Sequence, residues 1–146
     1  MEVIKTEIEG VVIIEPRIFK DARGYFFESY SQREFNEKVA PIDFCQDNES
    51  MSTYGVMRGL HFQRPPFTQS KLVRCVKGAV LDVAVFQYKC DNFYHPEADG
   101  GISILDNSLG IDWRIPTDKA ILSEKDTKHE MLKDFDSPFS IDEPLY

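Results

Sequence analysis

Apolar and polar residues alternate most clearly between Val56 and Val85. This stretch opens with a short apolar run, crosses a turn at Pro65 and Pro66, and then resumes its alternation. Side chains on a β-strand point to opposite faces in turn, so a half-buried strand repeats every two residues. The pattern therefore predicts two half-buried strands joined by a proline-containing loop.

The remaining segments predict more short strands and little helix. Val3–Pro16 alternates and then runs apolar, which predicts a strand ended by proline, and the aromatic run Tyr25–Tyr30 predicts another. Ser31–Val39 starts with a serine suited to helix capping and continues with charged residues, which predicts a short helix. Ser123–Met131 predicts a helical turn capped by its first serine.

The run from Gly78 to Cys90 has no turn signal over about twelve residues, whereas strands usually span five or six. It is either one long strand or two fused strands. Many short strands with Gly, Pro and Asn between them predict an all-β sandwich or barrel. The length of 146 residues predicts a single domain, residues 1–146, that buries roughly two thirds of its unfolded surface.

Charged side chains interrupt the central strands. Because neighbouring strands bring inward side chains together, four of them would meet in one cavity: Arg58, His61, Lys71 and Asp82. Buried charges are costly unless they are paired or used for chemistry, and two cations with an imidazole suit an anionic ligand. The alternative is that His61 is a hydrogen-bonded core histidine and that Lys71 and Arg74 point to solvent.

Charged residues make up 29% of the chain and hydrophobic ones 42%, as in soluble globular proteins, and no run approaches the length of a membrane span. The net charge of −8 disfavours nucleic acid and anionic membranes as partners. A cationic cavity would thus be a local feature for a small anion such as a nucleotide sugar. The N-terminus has acidic residues and no apolar signal region, so we expect a cytoplasmic protein.

The chain has three cysteines, Cys45, Cys75 and Cys90. They are far apart and lack C-x-x-C spacing, which argues against a disulfide framework or a zinc site. The histidines at His61, His95 and His129 do not form the closely spaced pairs that bind metal in β-barrels. We predict no metal and no cofactor.

Seven strings follow one another along the chain: DARGYFFESYS (21–31), FCQDNES (44–50), VMRGLHFQ (56–63), KLVRCVKG (71–78), YKCDNFYHPEADGGI (88–102), GIDWRIP (110–116) and LSEKD (122–126). In this order and combination they resemble the dTDP-4-dehydrorhamnose 3,5-epimerase family of sugar-nucleotide epimerases. The resemblance implies a cupin-type jelly roll. It also implies epimerisation of dTDP-4-dehydro-6-deoxy-glucose at C3 and C5, giving dTDP-4-dehydro-rhamnose.

Epimerisation beside a ketone needs a base, a group that stabilises the enolate, and an acid on the opposite face. A neutral imidazole oriented by a carboxylate is a suitable base. By resemblance, His61 is the base and Asp126 is its carboxylate partner. Lys71 matches the lysine at the enolate oxygen, and Tyr88 matches the tyrosine acid.

The resemblance also implies substrate contacts. The matching cations near the substrate and its diphosphate are Arg23, Arg58 and Lys125; the nucleoside contacts are Gln46, Asp47 and Asn48; the aromatics at the thymine are Phe26 and Tyr94; further polar contacts are Glu28 and Asp99. On pattern alone the two aromatics favour the core, Lys125 and Asp126 favour a solvated pair, and Glu28 favours the exterior of a strand.

One part of the family pattern is missing. A segment of several strands, with a GFAHGF-like string that carries a second active-site histidine, would fall between Val85 and Phe86. Without these strands the barrel would be incomplete and would expose apolar faces and edges. A change of strand length by an odd number of residues would also turn Tyr88 to the other face.

The resemblance further implies a homodimer with strand exchange, in which Arg23, Phe26 and Glu28 contribute to the partner's site. Two alternatives to the 3,5-epimerase stay open. One is a sugar-nucleotide 3,4-ketoisomerase of the same fold, and the other is a non-catalytic nucleotide-sugar binder left by the missing segment.

Overall fold

The computed structural model describes residues 1–78 and 84–140, which form mainly β-strands and one α-helix. They divide into two compact units, Met1–Asp43 and the described residues from Phe44 onward. No helix within these described ranges is long and apolar enough to cross a membrane. The predominance of strands agrees with the all-β prediction, whereas the single domain stays a prediction.

The first unit contains two antiparallel hairpins. They are formed by β1 (Glu2–Lys5) with β2 (Val12–Glu15) and by β3 (Phe19–Asp21) with β4 (Gly24–Phe26). Gly10 lies between β1 and β2 at φ 77°, a conformation that favours glycine. The prediction of one strand over Val3–Pro16 is therefore wrong, because this turn divides it. The predicted strand Tyr25–Tyr30 is also too long, since β4 ends at Phe26.

Helix α1 (Gln32–Lys38) completes the first unit and confirms the predicted helix. Ser31 is the N-cap, and its hydroxyl oxygen accepts a hydrogen bond from the backbone N–H of Glu34. Phe35 is the buried residue of the helix. Glu34 in the first turn and Lys38 in the last complement the helix dipole and pair with each other at 3.2 Å.

The second unit contains two antiparallel sheets. A three-stranded sheet has β8 (Ala84–Cys90) between β5 (Gln46–Ser52) and β7 (Lys71–Gly78), and a smaller sheet pairs β6 (His61–Gln63) with β9 (Asp99–Gly101). Strand β7 ends at Gly78, and β8 begins at Ala84 and pairs antiparallel with it. The long run that ends at Cys90 is therefore not one strand.

The C-terminal segment of this unit contains short 3-10 helices at Asn107–Leu109, Thr117–Lys119, Asp126–Lys128 and Leu132–Asp134. Backbone bonds attach it to the strand region: Ile121 accepts from the N–H of Met57 at 3.0 Å, and Glu130 accepts from the N–H of Ser103 at 2.8 Å. The turn at Asp126–Lys128 confirms the predicted helical turn, but its N-cap is Lys125, which makes no side-chain cap bond, so the predicted serine cap is wrong. The hydroxyl of Ser123 accepts from the N–H of Asp126 at 3.2 Å. These bonds hold the segment beside β6 and β9.

Gly101 in β9 is closely surrounded. A Cβ at this position would lie 2.5 Å from the carbonyl oxygen of Leu60 and 2.7 Å from Nε2 of His129. We expect Gly101→Ala to lower the free energy of unfolding by about 1–3 kcal/mol, because the backbone must shift to relieve these contacts. Urea unfolding would measure the loss.

A double-mutant cycle with His129→Ala provides the control for this prediction. Removal of the ring relieves one of the two contacts, so Gly101→Ala should cost less in the alanine background than in the parent. Part of the cost should remain, because the oxygen of Leu60 is backbone and stays in place. A Gly101→Ala protein with the parent's urea midpoint would contradict the crowding seen here.

Candidate active site

A cavity of about 300 Å³ lies in the second unit. Eight of the predicted site residues line it: Gln46, Asn48, His61, Lys71, Tyr88, Tyr94, Asp99 and Lys125. The predicted base, the predicted enolate-stabilising lysine and the predicted acid thus share one cavity. Their roles in catalysis stay predictions.

Strand register explains why residues of the three-stranded sheet face the cavity together. Tyr88 on β8 lies opposite Asn48 on β5 and Val73 on β7, while Cys90 lies opposite Gln46 and Lys71. Side chains two residues apart share a face, so these positions point the same way. The ammonium of Lys71 lies 5.9 Å from the centroid of the Tyr88 ring. The shortened connection has therefore not turned Tyr88 away from the cavity.

His61 and Asp126 form a hydrogen-bonded pair. Nε2 of His61 lies 2.5 Å from Oδ1 of Asp126, and the Asp126 side chain is only 4% exposed compared with 31% for His61. The other carboxylate oxygen of Asp126 accepts from the hydroxyl of Ser123 at 2.6 Å. Burial opposes ionisation of this carboxyl, but the hydrogen bonds from Ser123 and His61 outweigh it and lower the pKa of Asp126. A carboxylate here can orient the imidazole and stabilise its protonated form.

A second polar group lies at the same cavity. The ammonium of Lys125 pairs with Asp99, and the hydroxyl of Tyr94 donates to the same carboxylate oxygen at 3.1 Å. Burial opposes ionisation of Asp99, but the bonds from Lys125 and Tyr94 outweigh it and lower its pKa. The three residues thus form one connected polar group beside His61.

His129 is a site neighbour that the sequence did not predict. Its ring centroid lies 5.4 Å from that of His61, with 65° between the ring planes. The sequence spacing of the histidines gave no sign of this pair, because the two residues are 68 positions apart in the chain. Burial lowers the pKa of His129, and the positive charge of Lys125 and of His61 when it is protonated lowers it further, so His129 is uncharged near neutral pH.

Three groups lie close enough together to bind a metal ion: the possible ligand atoms of His61, Asp126 and His129 lie within 4.8 Å of one another. The distances between these atoms show whether they fit a metal site. A tetrahedral zinc site with bonds of about 2.0–2.1 Å separates its ligand atoms by about 3.3 Å. The 2.5 Å between His61 and Asp126 is instead the distance of a charge-assisted hydrogen bond. The three groups fit a hydrogen-bonded pair with a neighbouring ring, and the absence of a metal stays a prediction.

Two predicted contacts of the second unit point elsewhere. Arg58 donates to the hydroxyl of Ser52 at 3.1 Å and does not line the cavity in the described part of the chain. Asp47 lies on the opposite face of β5 from Gln46 and pairs with Lys89 at 2.7 Å. Contacts of Arg58 and Asp47 with a substrate would need these side chains to move.

Three predicted contacts belong to the first unit, and all are exposed. Arg23 forms an ion pair with Asp21 at 2.5 Å in the turn between β3 and β4. The ring of Phe26 lies 6.4 Å from that of Phe19 across the same hairpin, and Glu28 follows the hairpin. Asp82, which was expected in the cavity, lies outside the described residues.

Gln63 and Gln69 also line the cavity and were not predicted. The buried amide of Gln63 donates to the carbonyls of Phe67 and Phe93, and Gln69 donates to that of Asn92. Gln63 could have been found, because it lies two residues after His61 and therefore on the same strand face. Both side chains join the loops around the cavity.

Comparison with known proteins decides the family. The family model described as dTDP-4-dehydrorhamnose 3,5-epimerase matches residues 5–86 and 84–134. The chain belongs to this family. The dTDP-4-dehydrorhamnose 3,5-epimerase of Escherichia coli K12 is 41% identical, with 88% of this chain and 92% of that protein aligned.

Solved structures of dTDP-4-dehydrorhamnose 3,5-epimerases agree with this family assignment. The enzyme from Elizabethkingia anophelis has a TM-score of 0.83 at 36% identity, covering 92% of this chain and 97% of the other. The dTDP-6-deoxy-D-glucose-3,5-epimerase from Legionella pneumophila, solved in complex with dTDP-4-keto-L-rhamnose, has a TM-score of 0.81 at 32% identity, covering 92% and 94%. The chain thus has the cupin-type jelly-roll fold of the epimerase family, as predicted.

The missing part of the epimerase pattern is visible in these alignments. The E. coli alignment extends over 172 positions but uses 88% of the 146 residues here, about 128, so about 44 positions have no residue of this chain. The two matches of the family model meet at residues 84–86, where β8 begins. This junction agrees with the predicted gap between Val85 and Phe86.

The lowered pKa of His129 predicts how the stability of this epimerase-family chain depends on pH. The unfolded chain binds more protons between the ordinary histidine pKa of about 6.5 and the lower folded value. The contribution of neutral His129 is therefore complete above pH 6.5 and decreases as the pH falls below it. Urea unfolding between pH 5 and pH 8 should show the free energy of unfolding decrease as the pH falls below 6.5. In His129→Phe this decrease should be smaller. Lys128 is an exposed neighbour of His129, so Lys128→Ala should keep the parent's dependence of unfolding free energy on pH.

Proposed function

We propose that this chain is a dTDP-4-dehydrorhamnose 3,5-epimerase that converts dTDP-4-dehydro-6-deoxy-glucose into dTDP-4-dehydro-rhamnose. The observation that carries the proposal is the His61–Asp126 pair at a cavity that Lys71 and Tyr88 also line. Family membership and the bound dTDP-4-keto-L-rhamnose of the L. pneumophila relative support it.

His61 is the base in this proposal. Its Nε2 faces Asp126, so Nδ1 is the nitrogen left to remove the proton from the carbon beside the ketone. Proton removal makes His61 an imidazolium. The buried carboxylate of Asp126 stabilises that charge and fixes the tautomer, because its oxygen accepts a hydrogen bond from the Nε2–H of His61.

Lys71 and Tyr88 complete the proton transfer. The ammonium of Lys71 stabilises the negative charge that develops on the ketone oxygen, since charge in a partly enclosed site is stabilised most by donors already in place. The phenol of Tyr88 then returns a proton to the carbon. Both groups lie on one sheet face, with the ammonium 5.9 Å from the ring centroid, so one substrate can reach both.

The remaining predicted residues bind the nucleotide. Gln46 and Asn48 on β5 contact the nucleoside with their amides, Tyr94 stacks on the thymine, and Asp99 holds Lys125 at the cavity. The cations assigned to the diphosphate are Lys125, Arg58 and Arg23, and the further contacts are Asp47, Phe26 and Glu28. Arg58 and Asp47 would leave their present partners on binding.

Deuterium incorporation tests this function. In D₂O, the chain should label C3 and C5 of dTDP-4-dehydro-6-deoxy-glucose and release the epimerised sugar, which NMR and mass spectrometry detect. A ketone moved to C3 would identify the ketoisomerase instead. Binding of dTDP without label at either carbon would identify a non-catalytic binder and refute the proposal.

A homodimer is part of the same proposal. The β3–β4 hairpin exposes large aromatic side chains, with Tyr25 at 72% and Phe26 at 66%, and a second copy could cover them. Strand exchange would bring Arg23, Phe26 and Glu28 to the partner's cavity. Light scattering at micromolar concentration should report twice the 16.9 kDa chain mass, and a monodisperse monomer would contradict the dimer. The cytoplasmic location remains a prediction.

A further inference from the structure

The ring of His129 lies against that of His61 without itself lining the cavity. Its Nε2 is buried and has no hydrogen-bond partner among the described residues. Gly101 provides the room, because a Cβ there would come within 2.7 Å of this nitrogen. Gly101 is also the cross-strand partner of His61, so the three residues form one packed group.

The backbone holds His129 at this position. The residue directly follows the 3-10 turn Asp126–Lys128. On its other side, Glu130 accepts the N–H of Ser103 at 2.8 Å and forms a bridge with Ile102. The ring of His129 can therefore act as a fixed packing surface.

The ring of His61 needs such a packing contact to keep one orientation. The torsion that orients a histidine ring has only broad preferences, so its contacts decide where each nitrogen points. The hydrogen bond to Asp126 fixes one atom of the ring but leaves the ring able to tilt around it. The ring of His129 supplies a second contact, with its plane at 65° to that of His61.

We propose that His129 is a positioning residue that holds the imidazole of His61 with Nε2 toward Asp126 and Nδ1 free for the substrate. The role of His129 in turnover rests on the proposed epimerase function. The sequence lacks the histidine-bearing string of the family, yet a second imidazole, from the C-terminal segment, lies beside the base.

His129 must be uncharged for this role. The charged and titratable groups that face it are His61 on β6, Asp99 on β9, and Lys125 and Asp126 from the C-terminal segment. Burial, Lys125 and His61 in its protonated form lower the pKa of His129 and outweigh the two carboxylates. A neutral ring does not repel the imidazolium that forms when His61 takes a proton, whereas a second imidazolium would.

Steady-state kinetics of three variants tests the inference. His129→Ala should lower kcat about 10- to 100-fold and leave KM nearly unchanged, because a small misplacement of a base is costly whereas substrate contacts remain. His129→Phe keeps a flat uncharged ring and should restore most of kcat. Lys128→Ala is the matched control and should behave as the parent. If the alanine variant does not fold, His129→Leu replaces it, filling the volume without a flat ring.

The ¹⁵N shifts of the His61 ring give a second measurement that does not depend on turnover. Neutral His61 should be a single Nε2–H tautomer in the parent and in His129→Phe, and a mixture in His129→Ala. A parent that labels neither carbon would refute the proposed function, yet this measurement would still test the inference. A single tautomer in His129→Ala, or a phenylalanine variant as slow as the alanine variant, would overturn it.

Discussion

His61→Asn is expected to slow deuterium incorporation at both C3 and C5 by about 10³–10⁴-fold, the upper part of what a general base contributes. The cause is the loss of the imidazole, whose Nε2 is bonded to Asp126 and whose Nδ1 is the proposed base at the cavity. Binding of dTDP, measured by titration calorimetry, should persist because the nucleoside and phosphate contacts are other residues. Asp126→Asn should also slow exchange, and the double variant should be no slower than His61→Asn, since the two act as a unit.

His95→Asn is the matched control for this prediction. His95 makes the same type of contact, a bond from its ring to Glu97 at 2.9 Å, but does not line the cavity in the described structure. The same substitution there should leave exchange at the parent's rate. Exchange within tenfold of the parent in His61→Asn would remove His61 from the role of base.

Tyr88→Phe is expected to lower turnover about 10²–10⁴-fold, the usual contribution of a general acid. His61 can still remove a proton and return a deuteron to the same face of the carbon. Unreacted substrate should therefore still acquire deuterium while epimerised product falls. NMR of substrate and product in D₂O separates these two rates.

Tyr54→Phe is the matched control for the phenol. Tyr54 is an exposed tyrosine of the same unit and is not among the residues that line the cavity. Its loss should change neither rate. Equal and substantial product formation with and without the phenol of Tyr88 would end the assignment of Tyr88 as the acid.

Residues on regular strands were the most predictable part of the site. The prediction that His61 and Lys71 share a cavity is confirmed, because alternation along β6 and β7 determines which way each side chain points. The same rule argues against grouping Asp47 with Gln46 and Asn48, since adjacent residues of a strand face opposite sides. Asp47 indeed pairs with Lys89 on the other face.

His129 was not predictable from the sequence. It follows a short 3-10 turn in a polar segment, and no local pattern distinguishes it from a solvated histidine. Its place depends on the backbone bond from Ser103 to Glu130, which joins parts of the chain that are far apart in sequence. Arg58 shows the reverse case, because its flexible side chain bonds to Ser52 and leaves the predicted cavity.

Gly101 and His129 occupy adjoining space, and this sets the order in which the two residues could have arisen. A Cβ at position 101 would lie 2.7 Å from the imidazole, so we expect a glycine to have been present there before a histidine was accepted at position 129. The reverse order passes through a crowded and less stable ancestor. Relatives that carry a ring at the position of His129 should therefore carry glycine at the position of Gly101, whereas relatives with glycine there need not carry the ring.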